Sequence, residues 1–308
     1  MKIIEPLKAG DTVALAATAR KVSPEEMAPA IERLRSWGLK VLVPEGLYAA
    51  ENQFAGSDEH RAALFQGLLD DPEVKAILCC RGGYGTVRII DKLDFRNFAE
   101  HPKWIVGYSD VTVLHSHIHT TLGLPTLHGT MPINFGPTES AATESLRRVL
   151  FGEKFDYSWS SEGQHAASLQ MGRNGMAEGT LVGGNLSILY SLCGSRSQLD
   201  TRGKILLIED LDEYLYHIDR MMQNLRRCGM LDGLAGLLVG GMTEMHDNTV
   251  PFGRTAEEIV METVAGLDFP VAFNAPFGHL GNNNLALILG TKIVFENTIS
   301  KKVRIFAP

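Results

Sequence analysis

The chain has 308 residues, of which 44% are hydrophobic and 21% are charged, and its formal net charge at pH 7 is −7. This length and composition predict one large or two modest globular domains with an ample buried core. The net negative charge is not the basic character that is typical of nucleic-acid-binding proteins. No apolar run approaches the roughly 18 residues of a membrane-spanning helix. We therefore expect neither a nucleic-acid partner nor a membrane partner.

The first residues and the cysteines indicate a cytoplasmic protein. Residues 1–6 include an acidic residue and a proline, which interrupt any apolar segment of the kind that a signal peptide needs. The cysteines lack Cys-x-x-Cys spacing, so we expect neither a zinc site nor a disulfide framework; they are Cys79, Cys80, Cys193 and Cys228. A reducing compartment fits these observations best.

The amino-terminal half of the sequence alternates between short apolar runs and helical patterns. Such alternation predicts an α/β fold with a parallel, Rossmann-like or flavodoxin-like sheet and right-handed crossovers. The predicted strands are residues 11–17, 40–44, 74–80, 104–107 and 124–129. The predicted helices begin at Ser23, at Ser57 and after residues 86 and 110, and a last one spans residues 138–150.

One of these strand ends carries a serine. The apolar run at residues 104–107 is followed by Tyr108-Ser109-Asp110, after which apolar residues recur at helical spacing. A serine at a sharp strand-to-helix turn presents its Oγ, and the next backbone N–H can stabilise an oxyanion. This pattern predicts a nucleophile elbow, although Val111 stands where the usual Gly-x-Ser-x-Gly motif has its second glycine. The alternative is that Ser109 merely caps a helix.

The preceding strand ends in a glycine-rich loop with the sequence Arg81-Gly82-Gly83-Tyr84-Gly85. Such a loop exposes backbone N–H groups at the carboxyl edge of the sheet, where doubly wound folds bind ligands. Its spacing matches neither the dinucleotide-binding motif nor the Walker loop. A phosphate cradle, an oxyanion-hole loop and a simple tight turn are the open interpretations.

Three histidines follow the serine at alternate positions: His115, His117 and His119. On a helix only His115 and His119 share a face, and no acidic ligand follows them at a suitable spacing. Packing at the surface or in a groove is therefore a better interpretation than a metal site.

The composition changes between residues 151 and 175, where Ser, Gly, Gln and Asn dominate. We predict an amino-terminal domain at residues 1–158, a linker at 159–175 and a smaller carboxyl-terminal α/β domain at 176–308 with a mixed, β-rich sheet. The run that opens the second domain starts at Gly179, and Gly183-Gly184-Asn185 before an apolar helical run suggests a backbone-exposing turn or a simple strand-to-helix turn. The strands predicted there are residues 204–208, 234–240, 270–274 and 303–306. The helices are residues 214–227 and 255–264, and residues 285–289 and 292–295 form a hairpin.

Polar side chains again follow strand ends in this second domain. Glu209 comes directly after the apolar run at residues 204–208, and His279 lies on a loop fixed by Pro276 and Gly278. A serine nucleophile needs a base, and an imidazole needs a third group to fix its tautomer. Ser109, Glu209 and His279 are therefore candidates for a triad, although spacing alone does not prove that they converge.

Five motifs occur in a fixed order and span nearly the whole chain. They are Arg-Gly-Gly-Tyr-Gly at 81–85, Gly-Tyr-Ser-Asp at 107–110, Gly-Gly-Asn-Leu at 183–186, Ile-Glu-Asp at 208–210 and Pro-Phe-Gly-His at 276–279. Together they resemble the LD-carboxypeptidase family, serine peptidase family S66. At residues 17–20, Ala-Thr-Ala-Arg replaces the Pro- and Ser-rich segment of many relatives, so contacts of that loop do not transfer.

The resemblance implies a Ser-Glu-His triad on a two-domain fold. Ser109 would attack the scissile carbonyl, His279 would act as general base and then as acid, and Glu209 would orient the imidazolium. The N–H groups of Asp110 and Gly83 would hold the oxyanion.

The resemblance also implies a substrate class and an assembly. The family removes the terminal D-residue from an L,D-peptide bond in cytoplasmic muropeptides, without metal or cofactor, and its members commonly form homodimers. Within this picture we predict substrate contacts at Gly82, Gly184 and Asn185.

Three alternatives to muropeptide hydrolysis stay open. The family's microcin C7 self-immunity branch cleaves peptidyl or aminoacyl nucleotides, but no insertion here carries a tryptophan for nucleotide stacking near the Glu209 helix. A metal-dependent amidohydrolase would use the histidine run. A non-catalytic muropeptide-binding protein would gain nothing from a serine, a carboxylate and an imidazole at three strand ends.

Overall fold

The computed structural model describes residues 4–160, 172–298 and 302–308. The strands are β1 (Thr12–Ala16), β2 (Lys40–Leu42), β3 (Val74–Cys79), β4 (Trp104–Gly107), β5 (Thr126–His128), β6 (Asp156–Ser160), β7 (Gly175–Asn185), β8 (Lys204–Leu211), β9 (Gly236–Thr243), β10 (Val271–Ala272), β11 (Leu287–Leu289), β12 (Lys292–Asn297) and β13 (Lys302–Phe306). The helices are α1 (Pro24–Ser36), α2 (Asp58–Asp70), α3 (Arg96–Glu100), α4 (Thr112–Leu122), α5 (Ala141–Leu150), α6 (Leu186–Ser191), α7 (Leu215–Arg227) and α8 (Ala256–Thr263). None of the helices in these ranges combines the length and the apolar character that crossing a bilayer requires.

The chain divides into two compact units. The amino-terminal unit comprises Met1–Glu153 with Gly281–Ile288, and the carboxyl-terminal unit comprises Lys154–Leu280 with Leu289–Pro308. Most of the predicted linker, residues 161–171, lies outside the described residues. The last residues before that gap belong to β6, and β7 begins at Gly175.

A sheet with the strand order β2-β1-β3-β4-β5-β11 forms the centre of the amino-terminal unit. Strands β1 to β5 pair in parallel. Strand β4 is buried along its whole length, as expected for a parallel sheet covered on both faces. The order of the first five strands is the flavodoxin-like one, which confirms the predicted α/β class.

Two expected details of this unit are different in the structure. The helix predicted after residue 86 consists of two single-turn 3₁₀ helices, Thr86–Arg88 and Ile90–Lys92. At the junction of these two turns, the adjacent side chains of Ile89 and Ile90 are both buried. The helix predicted to begin at residue 138 begins at Ala141, because Ser140 provides the cap.

The carboxyl-terminal unit contains a mixed sheet with the order β10-β9-β8-β7-β12-β13-β6. Strands β7 to β10 pair in parallel, whereas β12, β13 and β6 pair antiparallel. Helices α7 and α8 contribute buried apolar side chains to a common core with the sheet, among them Ile218, Met222, Leu225, Ile259 and Val260. This sheet confirms the predicted mixed character of the second half.

The predicted hairpin at residues 285–295 is wrong. Strand β11 pairs with β5 in the first sheet, whereas β12 lies between β7 and β13 in the second. The Gly290-Thr291 turn bonds to β7 instead, since Leu181 N donates to Thr291 O at 2.9 Å and Gly290 N donates to Leu181 O at 2.7 Å. Pairing with distant strands therefore overrides the local turn signal.

Candidate active site

Ser109 lies in the turn between β4 and α4. Its φ of +61° is in the left-handed region that non-glycine residues rarely adopt. A single 3₁₀ turn, Ser109–Val111, leads from it directly into α4. Backbone strain of this kind costs about 1–3 kcal/mol and is concentrated at functional sites. The turn thus has the strand–turn–helix geometry that a nucleophile elbow needs.

Gly107 and His115 hold this turn in place. A Cβ on Gly107 would lie 2.7 Å from Val111 Cγ2, so the glycine makes room for the valine that departs from the usual motif. His115 Nε2–H donates to Gly107 O at 2.9 Å. Burial lowers the pKa of His115 to about 4, so the ring is neutral and this nitrogen carries its proton.

The histidine run does not form a ligand set. His115 points at the backbone of the turn, as its bond to Gly107 shows. Within the described ranges, no group of three or more His, Cys, Asp or Glu side chains could hold a metal ion. The role that the structure gives His115 is to brace the serine turn.

Gly82 faces the serine. A Cβ at this position would lie 3.0 Å from Ser109 Oγ and 3.5 Å from Asp110 N. The missing side chain therefore leaves space beside both atoms, where a reacting carbonyl and its developing oxyanion would need to lie. No hydrogen-bond partner of the Asp110 or Gly83 N–H is found among the described residues.

The Asp110 carboxylate connects the serine turn to the glycine loop. Its Oδ2 accepts a hydrogen bond from Thr86 N at 2.9 Å, directly after the loop. Asp110 is 1% exposed, and burial raises its pKa against the opposing effect of the Thr86 bond. Its Oδ1 has no hydrogen-bond partner among the described residues. The Asp110 side chain thus fixes the glycine loop relative to the serine turn.

A buried arginine, Arg61, anchors the loop that follows β1. Arg61 Nη1 donates to Thr18 O at 2.5 Å and to Gly85 O at 2.9 Å. The Thr86 hydroxyl donates to the Thr18 hydroxyl at 2.8 Å. The loops after β1 and β3 are therefore held together, and Asp110 adds the turn after β4. No sequence pattern indicated this role of Arg61, because an arginine three residues after Asp58 on α2 has the pattern of an exposed ion pair.

In the carboxyl-terminal unit, Glu209 and His279 form a close pair. Glu209 Oε2 accepts hydrogen bonds from His279 Nδ1 at 2.6 Å and from His279 N at 3.2 Å. Glu209 is fully buried and lies within β8, which continues to Leu211, beyond the predicted end of this strand. Since the carboxylate accepts from Nδ1, Nε2 of the neutral ring is left to accept a proton.

Neighbouring charges set the protonation of His279. Burial is the largest influence and acts to lower its pKa. The hydrogen bond and charge of Glu209, with the charges of Asp210 and Glu244, outweigh burial and raise the pKa of His279 above its ordinary 6.5. The site therefore stabilises an imidazolium, the species that forms when histidine takes a proton from a serine hydroxyl.

Two glycines make room for Glu209. Gly278 has a φ of +96°, and a Cβ there would overlap Glu209 Oε2 and lie 2.6 Å from its Cγ. A Cβ on Gly240 would lie 2.5 Å from Phe277 O and 3.2 Å from Glu209 Cβ. These contacts explain why a glycine directly precedes the histidine.

The contacts of Gly278 lead to a stability prediction. Gly278→Ala should lower the free energy of unfolding by about 2 kcal/mol or more, because the new methyl group meets the Glu209 carboxylate at a left-handed backbone position. Gly253→Ala is the matched control, since its φ is +80° and nothing lies within 4 Å of a Cβ there. Denaturant unfolding measures both variants, and equal losses would contradict the proposed clash.

Asn185 and Gly184, the predicted substrate contacts of this unit, lie at the end of β7. Asn185 Nδ2 donates to Asp210 Oδ1 at 2.8 Å, and its Oδ1 accepts from Ile188 N at 3.1 Å, so it caps α6. Gly184 pairs with Ile208 of β8 in the parallel register. Burial, with a contribution from Glu209, raises the pKa of Asp210 to about 7. A substrate contact of either residue stays a prediction.

Comparison with known proteins gives a family. A family model described as the LD-carboxypeptidase N-terminal domain matches residues 12–129, and one described as the LD-carboxypeptidase C-terminal domain matches residues 178–295. The chain belongs to the LD-carboxypeptidase family. The resemblance predicted from the five motifs is thereby confirmed, and this LD-carboxypeptidase homologue is a member of serine peptidase family S66.

Individual relatives match the LD-carboxypeptidase homologue over most of its length. A probable murein peptide carboxypeptidase of Bacillus subtilis (strain 168) is 37% identical over 302 residues, covering 96% of this chain and 91% of that protein. The crystal structure of muramoyltetrapeptide carboxypeptidase from Oxalobacter formigenes has a TM-score of 0.85 at 26% identity, covering 96% of this chain and 98% of that one. The microcin C7 self-immunity protein MccF of Escherichia coli is 26% identical over 321 residues, covering 94% of this chain and 92% of that protein.

Proposed function

We propose that the protein is a serine LD-carboxypeptidase that hydrolyses the L,D-peptide bond before the C-terminal D-alanine of cytoplasmic muramoyl tetrapeptides. The observation that carries the proposal is the left-handed Ser109 at a strand-to-helix turn, with open space beside its Oγ at Gly82. Family membership supports the reaction class. The names of the Bacillus subtilis and Oxalobacter formigenes relatives support a muropeptide substrate.

In this proposal Ser109, His279 and Glu209 act as a catalytic triad. Ser109 Oγ attacks the scissile carbonyl carbon while His279 Nε2 takes the hydroxyl proton. The C–N bond then breaks, and His279 gives the proton to the departing D-alanine amine. Water attacks the resulting ester, its proton passes through His279 to Ser109 Oγ, and the shortened peptide leaves as a carboxylic acid. Glu209 holds Nδ1–H and stabilises the imidazolium.

The backbone around the serine supplies the remaining chemistry. We assign the oxyanion hole to the N–H groups of Gly83 and Asp110, and substrate contacts to Gly82, Gly184 and Asn185. The mechanism uses no metal or cofactor. We further propose a homodimer as the working assembly, in line with the family resemblance.

The test is mass spectrometry of muramoyl tetrapeptide incubated with the protein in EDTA. We expect the loss of one alanine residue and the appearance of free D-alanine, whereas a tetrapeptide ending in L-alanine should stay intact. Activity that EDTA abolishes and added metal restores would favour a metal-dependent amidohydrolase instead. Tight binding of an unchanged tetrapeptide would favour a muropeptide-binding protein.

A second candidate function is cleavage of peptidyl or aminoacyl nucleotides. The similarity to the microcin C7 self-immunity protein over most of both chains favours it. An aminoacyl sulfamoyl adenylate offered in the same assay decides between the two. A kcat/KM higher for the adenylate than for the tetrapeptide would make the nucleotide the preferred substrate.

A further inference from the structure

The side chain of Arg20 lies across the glycine loop beside Ser109. A Cβ on Gly83 would overlap Arg20 Cδ, and it would lie 2.6 Å from Arg20 Cγ. The preceding residue, Gly82, is the one that faces Ser109 Oγ. Two adjacent glycines, Gly83 and Gly82, therefore lie between the aliphatic part of Arg20 and the serine turn, within one compact unit.

The charge of Arg20 is available to a ligand. The residue is exposed, and no ion pair or hydrogen bond of its guanidinium is found in the described part of the chain. Other arginines near the loop are engaged: Arg81 Nη1 lies 3.4 Å from Glu26 Oε1, and Arg88 Nη2 lies 2.7 Å from Asp58 Oδ2. Arg20 thus differs from Arg81 and Arg88 in presenting an uncompensated cation on a side chain that packs against the glycine loop.

The backbone that carries Arg20 is anchored. Arg20 forms a β-bridge with Phe54, and Arg61 donates to the carbonyl of Thr18 two residues earlier. The same guanidinium donates to Gly85 O, at the end of the glycine loop. The loop after β1 therefore holds a fixed position relative to the glycine loop, as a preorganised binding group requires.

The chemistry of a carboxypeptidase calls for a cation at this place. Such an enzyme must recognise the terminal α-carboxylate, whose carbon is separated from the scissile carbonyl carbon by three covalent bonds, a span of about 3–4 Å. Its receptor must consequently lie close to the nucleophile. A guanidinium suits the task, because its planar fork donates two parallel hydrogen bonds to a carboxylate.

We propose that Arg20 binds the terminal α-carboxylate of the substrate and, after cleavage, that of the released D-amino acid. The inference rests on the proposed LD-carboxypeptidase function and adds the subsite that restricts cleavage to the end of a peptide. It also makes free D-amino acids competitive inhibitors that bind through the same guanidinium.

The test compares a tetrapeptide ending in D-alanine with the same peptide ending in D-alaninamide. Arg20→Gln should lower kcat/KM for the acid about 10- to 100-fold, mainly through KM, because the carboxylate contact exists in both the ground and transition states. It should leave kcat/KM for the amide unchanged, and Arg20→Lys should retain part of the preference for the acid. Inhibition by D-alanine should weaken in parallel in Arg20→Gln.

Arg35→Gln is the matched control. It removes the same charge from an exposed position in the last turn of α1, about 16 Å along the helix from the end nearer Arg20. Arg35→Gln should keep the wild-type preference for the acid. Loss of that preference would show that the Arg20 effect comes from the overall charge of the enzyme and not from a specific contact, and it would overturn the proposal.

Two further results would overturn the carboxylate site while leaving the proposed function intact. One is an Arg20→Gln enzyme with the wild-type ratio of acid to amide cleavage. The other is a wild-type enzyme that cleaves the acid and the amide equally well, which is decisive even if the variant fails to fold. A wild-type enzyme that releases no D-alanine from the acid would instead overturn the proposed function and the carboxylate site together.

Discussion

Replacing Ser109 by alanine is expected to reduce D-alanine release by at least about 10⁴-fold, because the residual groups cannot form an acyl-enzyme. Thermal stability should stay near that of the wild type, since alanine keeps the same Cβ at the same left-handed position. Single-turnover mass spectrometry measures the release. Ser36→Ala, which removes a hydroxyl from the exposed end of α1, is the control and should keep full activity.

The left-handed backbone of Ser109 leads to a second prediction for the same residue. Ser109→Gly should be as inactive as Ser109→Ala yet more stable than it by about 0.5–1 kcal/mol, because glycine adopts a φ of +61° without a Cβ clash. Denaturant unfolding of the two variants gives the difference. A glycine variant less stable than the alanine variant would show that the turn stores no such strain.

Glu209→Gln is the change with the second largest expected effect. It should lower kcat about 10³- to 10⁴-fold, because an amide can donate to Nδ1 and so favour the wrong tautomer of His279. The buried site also loses the charge that stabilises the imidazolium. Glu262→Gln, which removes an exposed carboxylate paired with Arg254, is the control and should keep wild-type rates.

The pH profile of Glu209→Gln should shift in a defined direction. His279 must be neutral to accept a proton, so kcat/KM rises with pH through the pKa of His279. Glu209 helps to raise that pKa above 6.5 against the effect of burial, so loss of its charge should lower the pKa of His279. The acidic limb of the wild-type profile should therefore lie above pH 6.5, and that of the variant should lie at lower pH. An unshifted limb would contradict the assigned role of His279.

Local patterns predicted those parts of the molecule that local physics decides. Apolar runs located β1, β3, β4 and β8, and the cap at Ser23 gave the start of α1, where a capping box forms with Glu26. The strand-to-helix spacing around Ser109 indicated a sharp turn, and the structure adds its left-handed backbone. The close contact between Glu209 and His279, 70 residues apart in sequence, followed from no spacing and was suggested by the family motifs.

Contacts between distant segments account for what sequence reasoning missed. Arg61 is buried because the Thr18 and Gly85 carbonyls come to it from two other loops, and no pattern around residue 61 encodes that. The amide of Asn185 bonds to Asp210, 25 residues away, and caps α6, while its predicted substrate contact stays a prediction. In each case a polar group is paired by a partner that the tertiary fold supplies.

The placement of β11 has a consequence for how the protein matures during synthesis. This strand, Leu287–Leu289, covers the edge of β5 in the first sheet, although it is encoded after strands β6 to β10 of the second unit. While the ribosome completes the second unit, β5 presents an open edge, and open edges invite pairing with other chains. Translation stalled before residue 287 would therefore leave a nascent chain with an uncovered strand and a tendency to aggregate. The sheet that carries the serine is complete only once Leu289 has been synthesised.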